Sequence, residues 1–344
     1  MRRHHVDQAA GPRWRPALFA GPADAAGRVR CLLCPFRCLL ADGQSGVCEV
    51  RRNRAGTLET ATFTAAVTHL TAVERKPLYH VRPGVSVLTV AGPGCSFRCD
   101  YCINYRLSQY GRDDAAPWTG DPAEPTGIAA RAADAGALLG MSYSEPSLAP
   151  ELTLELAAHG VPLIWKTNGY LTAAAADLVA PVLLAVNVDV KAADEAAHRH
   201  LTGASLAPVW QTIERFRAAG LWVEVSTPLI PGTSAEPEAL RAIASRLAAI
   251  DPGIPWHLLR FTPDYRLRAA APTAPADLRA ARDVGHASGL RYVYVERALG
   301  PAGRNTGCPS CGLTLVERGI WTMVRNAITD GRCPRCGLEI PGRW

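Results

Sequence analysis

Lysine is nearly absent from this sequence, and long apolar runs are absent altogether. Of the 37 Lys and Arg residues only three are lysines, Lys76, Lys166 and Lys191, which leaves 34 arginines (37 − 3). Because arginine occupies almost every cationic position, each remaining lysine marks a place where a compact ammonium group is favoured over a planar guanidinium. No run of about eighteen uncharged apolar residues occurs, which excludes a membrane-spanning helix.

The N-terminal residues, MRRHHVDQ, also lack the features of an export signal. They are basic, but no apolar stretch follows them, so we expect no secretory signal and a reducing, cytoplasmic location. The net charge of +6 is small for 344 residues, and it permits a nucleic-acid partner without implying one. With 48% hydrophobic and 20% charged residues, the chain can bury a large core, which excludes wholesale disorder.

The eleven cysteines form three groups, and none is left over. In a reducing compartment such groups favour metal binding over disulfides, because thiolates three or four residues apart can converge on a soft metal. The groups are Cys31, Cys34, Cys38 and Cys48; Cys95, Cys99 and Cys102; and Cys308, Cys311, Cys333 and Cys336.

The two groups of four predict closed metal sites. The C-terminal group repeats one string, Cys308-Pro-Ser-Cys311-Gly and Cys333-Pro-Arg-Cys336-Gly, and two such turns complete a tetrahedral structural site. Zinc is the default metal there, and iron in the same cage is the alternative. The N-terminal group matches neither a standard zinc finger nor a standard ferredoxin run, so zinc and an auxiliary iron–sulfur cluster both stay open.

The middle group differs because it brings three thiolates and has no spare fourth cysteine. A [4Fe–4S] cluster held by three cysteines keeps one iron with an open coordination position. An open position is what a catalytic metal site needs and a structural site avoids. We therefore expect the chemistry to take place at Cys95, Cys99 and Cys102.

The central part of the chain alternates strand-like and helix-like stretches, which predicts an α/β fold with a parallel sheet and right-handed crossovers. The number of stretches fits an incomplete (β/α)6-type barrel, with the N-terminal cysteine group and a zinc-ribbon-like C-terminal group as added modules. Strands are predicted near 85–90, 137–143, 162–167, 183–190, 221–227, 256–261 and 291–296. Helices are predicted near 103–110, 126–136, 148–159, 171–180, 206–219, 236–249 and 275–288.

Unusual polar residues accompany these strands, and barrel chemistry gathers at the carboxyl ends of strands. A polar stripe inside a parallel barrel is costly unless it meets a ligand or pairs internally, and for the set as a whole we favour a ligand. His257, Arg260, Asp264, Tyr265, Glu74 and His80 are candidate substrate-facing groups.

The pattern Cys95-x-x-x-Cys99-x-Tyr101-Cys102 after a strand resembles the signature of the radical S-adenosylmethionine (SAM) enzymes. A closer resemblance, to the AmmeMemoRadiSam-system radical SAM proteins and hence to the pyruvate formate-lyase activating enzyme, runs from Cys31 to Trp344. It rests on strings such as CLLCPFRC, ERKPLYHVRPG, GCSFRCDYCINYRLSQ, VEVSTPLIPG and PWHLLRFTPDY.

This resemblance implies a partial barrel, a [4Fe–4S] cluster on the three-cysteine loop, and SAM bound to the open iron. One electron, from a donor of the flavodoxin or ferredoxin type, then cleaves SAM to methionine and a 5′-deoxyadenosyl radical. The residues it implies at SAM are Tyr101 near the adenine, Ser144 or Glu145 at the amino group, and Asn168, Asp189, Lys191 and Glu224 around the rest.

Two departures from the family pattern fall near the expected active-site mouth. Ile103 stands where Gln is usual, and Glu296-Arg297 stands where Gly-Asn is usual, so we expect a different substrate from that of closer relatives. We divide the chain into 1–82 (N-terminal metal module and lead-in), 83–298 (barrel) and 299–344 (C-terminal module).

Three functions stay open at this point. The first is hydrogen-atom abstraction from a small molecule or peptide. The second is activation of a glycyl-radical enzyme, a protein partner. The third is a zinc-ribbon protein that binds or modifies RNA, indicated by Arg304, Arg318, Arg325, Arg332, Arg335 and Arg343 but leaving the three-cysteine loop unexplained. A nucleic-acid partner is therefore the least favoured, and no membrane partner is expected.

Overall fold

A computed structural model describes residues 13–112 and 120–344. The N-terminal segment examined for an export signal, 1–8, lies outside the described residues. The first part of the chain is a small β module whose strands are short: β1 (Arg15–Pro16), β2 (Val29–Arg30), β3 (Leu39–Leu40), β4 (Arg51–Arg54) and β5 (Thr57–Thr60). β1, β5 and β4 form one antiparallel sheet, and β2 pairs with β3. This arrangement surrounds the N-terminal cysteines.

An eight-stranded sheet forms the centre of the molecule. In chain order its strands are β7 (Val67–Ala72), β8 (Ser86–Ala91), β10 (Leu138–Met141), β11 (Leu163–Thr167), β12 (Ala185–Asp189), β13 (Trp222–Leu229), β14 (Trp256–Arg260) and β15 (Val293–Val295). Two short strands, β6 (Thr64–Ala65) and β9 (Asp121–Pro122), lie outside this sheet. The spatial order is β15-β14-β13-β12-β11-β10-β8-β7, and β6 pairs separately with β9. From β8 to β15 every pairing is parallel, in the order of the chain.

Helices connect the parallel strands, as right-handed crossovers require. They are α1 (Tyr105–Ser108), α2 (Pro125–Asp134), α3 (Pro150–Ala157), α4 (Ala173–Val179), α5 (Glu195–Thr202), α6 (Ala207–Ala218), α7 (Pro237–Ile250) and α8 (Pro275–Ala287). All seven predicted strands and all seven predicted helices are present within a few residues of their predicted bounds. α5 is an addition to the predicted elements. The α/β fold with an incomplete barrel is thereby confirmed.

The antiparallel strand β7 at the sheet edge is the main difference from the predicted topology. It pairs with β8 over its full length, from Val67 opposite Ala91 to Ala72 opposite Ser86. Its sequence, VTHLTA, carries two threonines and a histidine, and the strand is half-buried. A polar edge strand of this kind has no hydrophobic pattern that distinguishes it from a loop.

The C-terminal module follows a short helix, α9 (Pro301–Arg304). Its strands β16 (Thr306–Gly307), β17 (Thr314–Arg318) and β18 (Met323–Asn326) form an antiparallel sheet. The module packs on the barrel through a cluster that includes Tyr79, Tyr294 and Leu315. Within the described residues, no helix has the length and apolar character needed to cross a membrane.

Candidate active site

A cavity of about 350 Å³ opens at the carboxyl ends of the parallel strands. This is the end of the barrel where enzymes of this architecture carry their chemistry. Its lining includes all three cysteines of the middle group and seven of the residues predicted to bind cofactor or substrate. The cysteines are Cys95, Cys99 and Cys102. Six lining residues were predicted to contact SAM, namely Tyr101, Ser144, Glu145, Asn168, Asp189 and Lys191, and Arg260 was predicted to face substrate.

The cysteine loop follows β8 directly and is held by hydrogen bonds to its sulfurs. The backbone N–H of Phe97 donates to Cys95 Sγ at 3.3 Å, and the hydroxyl of Ser108 lies 3.1 Å from Cys102 Sγ. Burial raises the pKa of Cys95 well above its ordinary value and that of Cys99 to about 12. Thiolates at Cys95 and Cys99 are therefore stable here only beside a cation, which fits a metal-cluster site.

Tyr101 provides a second observation that fits a bound cofactor. Its ring lines the cavity, and its hydroxyl is buried without a hydrogen-bond partner. The ammonium of Lys191 lies 5.8 Å from the centre of the same ring. A buried polar group that lacks a partner is costly, and a ligand in the cavity can supply one.

Glu145 and Asn168 fix the loops around the cavity. Glu145 Oε2 accepts from the backbone N–H of Asn168 at 2.8 Å, while Oε1 accepts from the N–H of Ser147 at 3.0 Å and from the hydroxyl of Thr167. Asn168 Nδ2 donates to Ser96 Oγ at 2.9 Å and lies 3.6 Å from Cys95 Sγ. Burial raises the pKa of Glu145, although its donors oppose that effect. Both side chains therefore join strand ends to the cysteine loop.

Asp189 lies between two of the three lysines. Lys191 Nζ donates to Asp189 Oδ2 at 2.9 Å, and Lys166 Nζ donates to Oδ1 and to Asn187 Oδ1, the latter at 2.7 Å. Burial alone would raise the pKa of Asp189, but the two ammonium groups outweigh it and lower that pKa. These three groups together carry one positive charge, and the Glu145 carboxylate lies on the same cavity wall.

Arginines form the outer rim of the cavity. The guanidinium carbons of Arg75 and Arg297 lie 4.4 Å and 4.5 Å from the centre of the Trp321 ring, and Arg260 lines the same cavity. Trp321 belongs to the C-terminal module and donates to Glu296 Oε1 at 2.6 Å. Glu296 and Arg297, together with Ile103, line the cavity, as expected of residues at the active-site mouth.

Glu224 and His257 do not line this cavity, and the contacts predicted for them with SAM and substrate stay predictions. Glu224 accepts from the backbone N–H groups of Tyr79 and His80 at 2.9 Å and 2.8 Å, and its Oε2 lies 2.6 Å from His257 Nε2. Both residues lie near the amino ends of their strands, β13 and β14. Their polar groups pair internally, so they belong to the opposite half of the barrel.

Glu74 and His80 join the barrel to the C-terminal module, and the substrate contacts predicted for them stay predictions. Glu74 Oε1 accepts from the N–H of Gly84 at 2.8 Å and lies 3.8 Å from Arg318 Nε. His80 Nδ1 lies 2.7 Å from the carbonyl of Pro341, and its Nε2 lies 2.7 Å from the hydroxyl of Tyr294. Both are almost fully buried, and neither is among the residues that line the active-site cavity.

Tyr265 lies beside the cysteine loop and not in the cavity lining. Its ring stacks on Tyr105 of α1 with 4.5 Å between ring centres. Asp264 lines a neighbouring surface depression with Arg268. The substrate contact predicted for these two residues stays a prediction.

The C-terminal cysteines form a compact site. Their four sulfurs lie within 4.8 Å of one another, with 3.6 Å between Cys308 and Cys336 and between Cys311 and Cys333. This is the expected closed group of four thiolates, and it can bind a metal ion. The arginines that indicated RNA binding fit less well, because Arg304 and Arg318 are buried and donate to backbone carbonyls.

The N-terminal cysteines line a second, smaller cavity of about 10 Å³. Cys31, Cys34 and Cys48 are buried and Cys38 is half-buried. Cys48 is buried, and burial raises its pKa to about 11. The structure brings together the four cysteines that the sequence grouped.

Two positions near the cavity were not assigned a site role from the sequence. Tyr143 has a φ of 73°, a left-handed conformation typical of glycine. Lys76 is buried, its ammonium lies 4.1 Å from the Tyr143 ring centre, and burial lowers its pKa to about 7. The rarity of lysine was the one sequence signal that pointed to Lys76.

Comparison with known proteins agrees with this geometry. The family model of the Radical SAM superfamily matches residues 89–243. An uncharacterized protein of Methanocaldococcus jannaschii, MJ0808, is 31% identical over 334 residues, which cover 95% of this chain and 98% of the relative.

Two further similarities are more distant. The isethionate sulfite-lyase activating enzyme of Oleidesulfovibrio alaskensis is 28% identical over 125 residues, which are 35% of this chain and 40% of that protein. The crystal structure of Streptococcus suis SuiB bound to S-adenosylmethionine aligns with a TM-score of 0.48 at 13% identity, over 65% of this chain and 52% of SuiB.

Proposed function

Because this chain belongs to the radical SAM superfamily and is therefore an enzyme, we propose that it reductively cleaves SAM and abstracts a hydrogen atom from a small-molecule or peptide substrate. A [4Fe–4S] cluster on Cys95, Cys99 and Cys102 would bind SAM at its open iron. The narrower assignment to the AmmeMemoRadiSam group stays a prediction.

One observation carries this proposal. The three cysteines line the same cavity as Tyr101, Asp189 and the other residues expected at SAM. In the described part of the chain, the three sulfurs of this loop do not all lie within 4.8 Å of one another. This spacing fits thiolates that each bind a different iron. The bound cluster supplies the single electron that SAM cleavage requires.

The protein's own groups would orient SAM and exclude water. The excess positive charge of Lys166, Asp189 and Lys191 fits the SAM carboxylate, and the unpartnered hydroxyl of Tyr101 fits a polar atom near the adenine. Glu145 and Asn168 have their polar atoms engaged with the protein, so we assign them a positioning role, and Ser144 is the better candidate for the SAM amino group.

The substrate would enter from the rim. Arg75, Arg260 and Arg297 line it together with Phe261 and Ile103, so it offers positive charge beside apolar surface. The flavodoxin- or ferredoxin-type electron donor belongs to the same proposal, as does zinc at the C-terminal group of four cysteines.

The test is release of 5′-deoxyadenosine. Anaerobically reconstituted protein with dithionite and SAM should release it, and Cys99→Ala should abolish the release. The zinc content of Cys99→Ala, measured alongside, checks that this variant is folded. The proposal fails if the Cys95→Ala/Cys99→Ala/Cys102→Ala variant still makes 5′-deoxyadenosine.

A second candidate is activation of a glycyl-radical enzyme. It is favoured by the similarity to the isethionate sulfite-lyase activating enzyme over 125 residues. This function predicts a glycyl-radical EPR signal on a protein partner. Abstraction from a small molecule instead predicts deuterium transfer from a labelled metabolite into 5′-deoxyadenosine, so the two measurements discriminate them.

A further inference from the structure

We propose that the four N-terminal cysteines hold a polynuclear iron–sulfur cluster, not a single zinc ion. The site is formed by Cys31, Cys34, Cys38 and Cys48, and it is separate from the three-cysteine loop. The inference stands whether or not the chain cleaves SAM.

The C-terminal cysteines show what a single-ion site looks like in this same chain. A Zn–S bond of about 2.3 Å in a tetrahedron places neighbouring sulfurs about 3.8 Å apart. The observed separations of 3.6 Å for Cys308–Cys336 and Cys311–Cys333 agree with that value. All four sulfurs there lie within 4.8 Å of one another.

The N-terminal sulfurs are farther apart. Within the described part of the chain, no three of them fall inside the 4.8 Å limit that the C-terminal group meets. A polynuclear cluster separates its thiolates in this way because each thiolate binds its own iron. The three-cysteine loop shares this wider spacing, so the N-terminal group resembles the loop and not the C-terminal group.

A small space remains between the N-terminal cysteines. They line a partly enclosed cavity of about 10 Å³, which approaches the room that one water molecule needs, about 10–15 Å³. Four sulfurs at zinc-binding distance leave no such room, because the centre of their tetrahedron lies only about 2.3 Å from each sulfur. The other walls are mostly apolar, with Leu33, Phe36 and Leu148 among them, so water is a poor occupant and a cluster a good one.

This cavity lies directly beside the three-cysteine loop. Ser96 lines it, whereas the preceding residue, Cys95, lines the active-site cavity. Arg112 joins the two sites, because its guanidinium donates to the carbonyls of Val47 and of Cys95, the latter at 2.9 Å. Iron at one site must therefore be measured with the other site removed.

The experiment is metal and sulfide analysis of the full chain after anaerobic reconstitution. The Cys95→Ala/Cys99→Ala/Cys102→Ala variant leaves the N-terminal group intact. We expect it to keep about two to four iron atoms with matching sulfide, an absorbance band near 400 nm, and about one zinc. About two zinc and no iron in this variant, or no metal beyond one zinc, would overturn the proposal.

A second variant assigns the remaining iron to these cysteines. Cys38→Ser changes the half-buried member of the group and leaves the buried three in place. Added to the triple variant, it should lower the iron content at least twofold while the zinc content stays near one. Unchanged iron would show that the metal is bound elsewhere, and loss of zinc alone would show that zinc occupies this site.

Discussion

Glu145 accepts a hydrogen bond from the backbone N–H of Asn168 at 2.8 Å, and its other oxygen faces two more donors, the N–H of Ser147 and the hydroxyl of Thr167. Only an acceptor-only group satisfies all three. Glu145→Gln turns one oxygen into a donor, and we expect a loss of about 2 kcal/mol in the free energy of unfolding. The loops beside SAM shift with it, so the Kd for SAM should rise at least about tenfold.

Equilibrium binding of SAM to the reconstituted protein measures this effect. Glu238→Gln is the control, because Glu238 lies on the exposed face of α7 and its side chain is 80% exposed. If Glu145→Gln and Glu238→Gln bind SAM equally well, the positioning role of Glu145 is wrong.

Tyr143 is expected to prefer glycine over alanine. At a φ of 73° an L side chain costs about 1 kcal/mol, whereas glycine adopts this conformation freely. Both Tyr143→Gly and Tyr143→Ala lose the contact of the ring with Lys76 and the bond of the hydroxyl to His69. Their difference therefore isolates the backbone, and Tyr143→Gly should be the more stable by about 1 kcal/mol in urea unfolding.

The matched control lies in a helix. Changing Ala130, which is exposed in α2, to glycine should lower the free energy of unfolding by about 0.5–1 kcal/mol. At this helical position alanine is therefore favoured over glycine, the reverse of position 143. A Tyr143→Ala variant as stable as Tyr143→Gly would mean that the left-handed conformation is not maintained in solution.

The parts of the site predictable from sequence are those encoded by local spacing. The loop of Cys95, Cys99 and Cys102 and the pairs of Cys308 with Cys311 and of Cys333 with Cys336 lie within a few residues of each other, so their geometry hardly depends on the rest of the fold. Buried parallel strands are similarly evident, since their apolar runs are continuous.

Depth within the barrel was not predictable in the same way. Period-two geometry gives the face of a strand on which Glu224 and His257 lie, but not which end of the barrel they approach. The position of Glu224 along the barrel depends on the preceding segment Pro77–His80, because the backbone N–H groups of Tyr79 and His80 donate hydrogen bonds to the Glu224 carboxylate. A contact across more than 140 residues leaves no trace in a local pattern.

Asp189 is expected to stabilise the protein mainly by separating two cations. Asp189→Asn would leave Lys166 and Lys191 close together without their anion, and we expect a loss of about 3 kcal/mol in the free energy of unfolding. Lys166→Met added to Asp189→Asn removes one cation, so the double variant should be the more stable, by about 1 kcal/mol or more.

Urea unfolding of the metal-loaded proteins, with Lys166→Met alone completing the cycle, measures this coupling. A double variant no more stable than Asp189→Asn would show that charge pairing does not account for the arrangement.

His80 should make stability depend on pH. Burial lowers its pKa to about 4; Arg318 and His257 act in the same direction, while Glu224 and the carbonyl of Pro341 oppose them. The unfolded chain binds a proton on His80 below about pH 6.5, whereas the folded protein does so only near pH 4. This stabilisation is therefore complete above about pH 6.5 and is lost as the pH falls toward about 4.

Between pH 7.5 and pH 5.5 the wild type should lose about 1 kcal/mol more stability than His80→Gln, since that variant has no imidazole to protonate at this position. Some pH dependence remains in the variant because burial also lowers the pKa of His257. His200→Gln, at an exposed position of α5, is the control and should follow the wild type. Equal slopes for wild type and His80→Gln would mean that His80 takes up its proton equally in the folded and unfolded states, which contradicts its enclosed position between Tyr294 and Pro341.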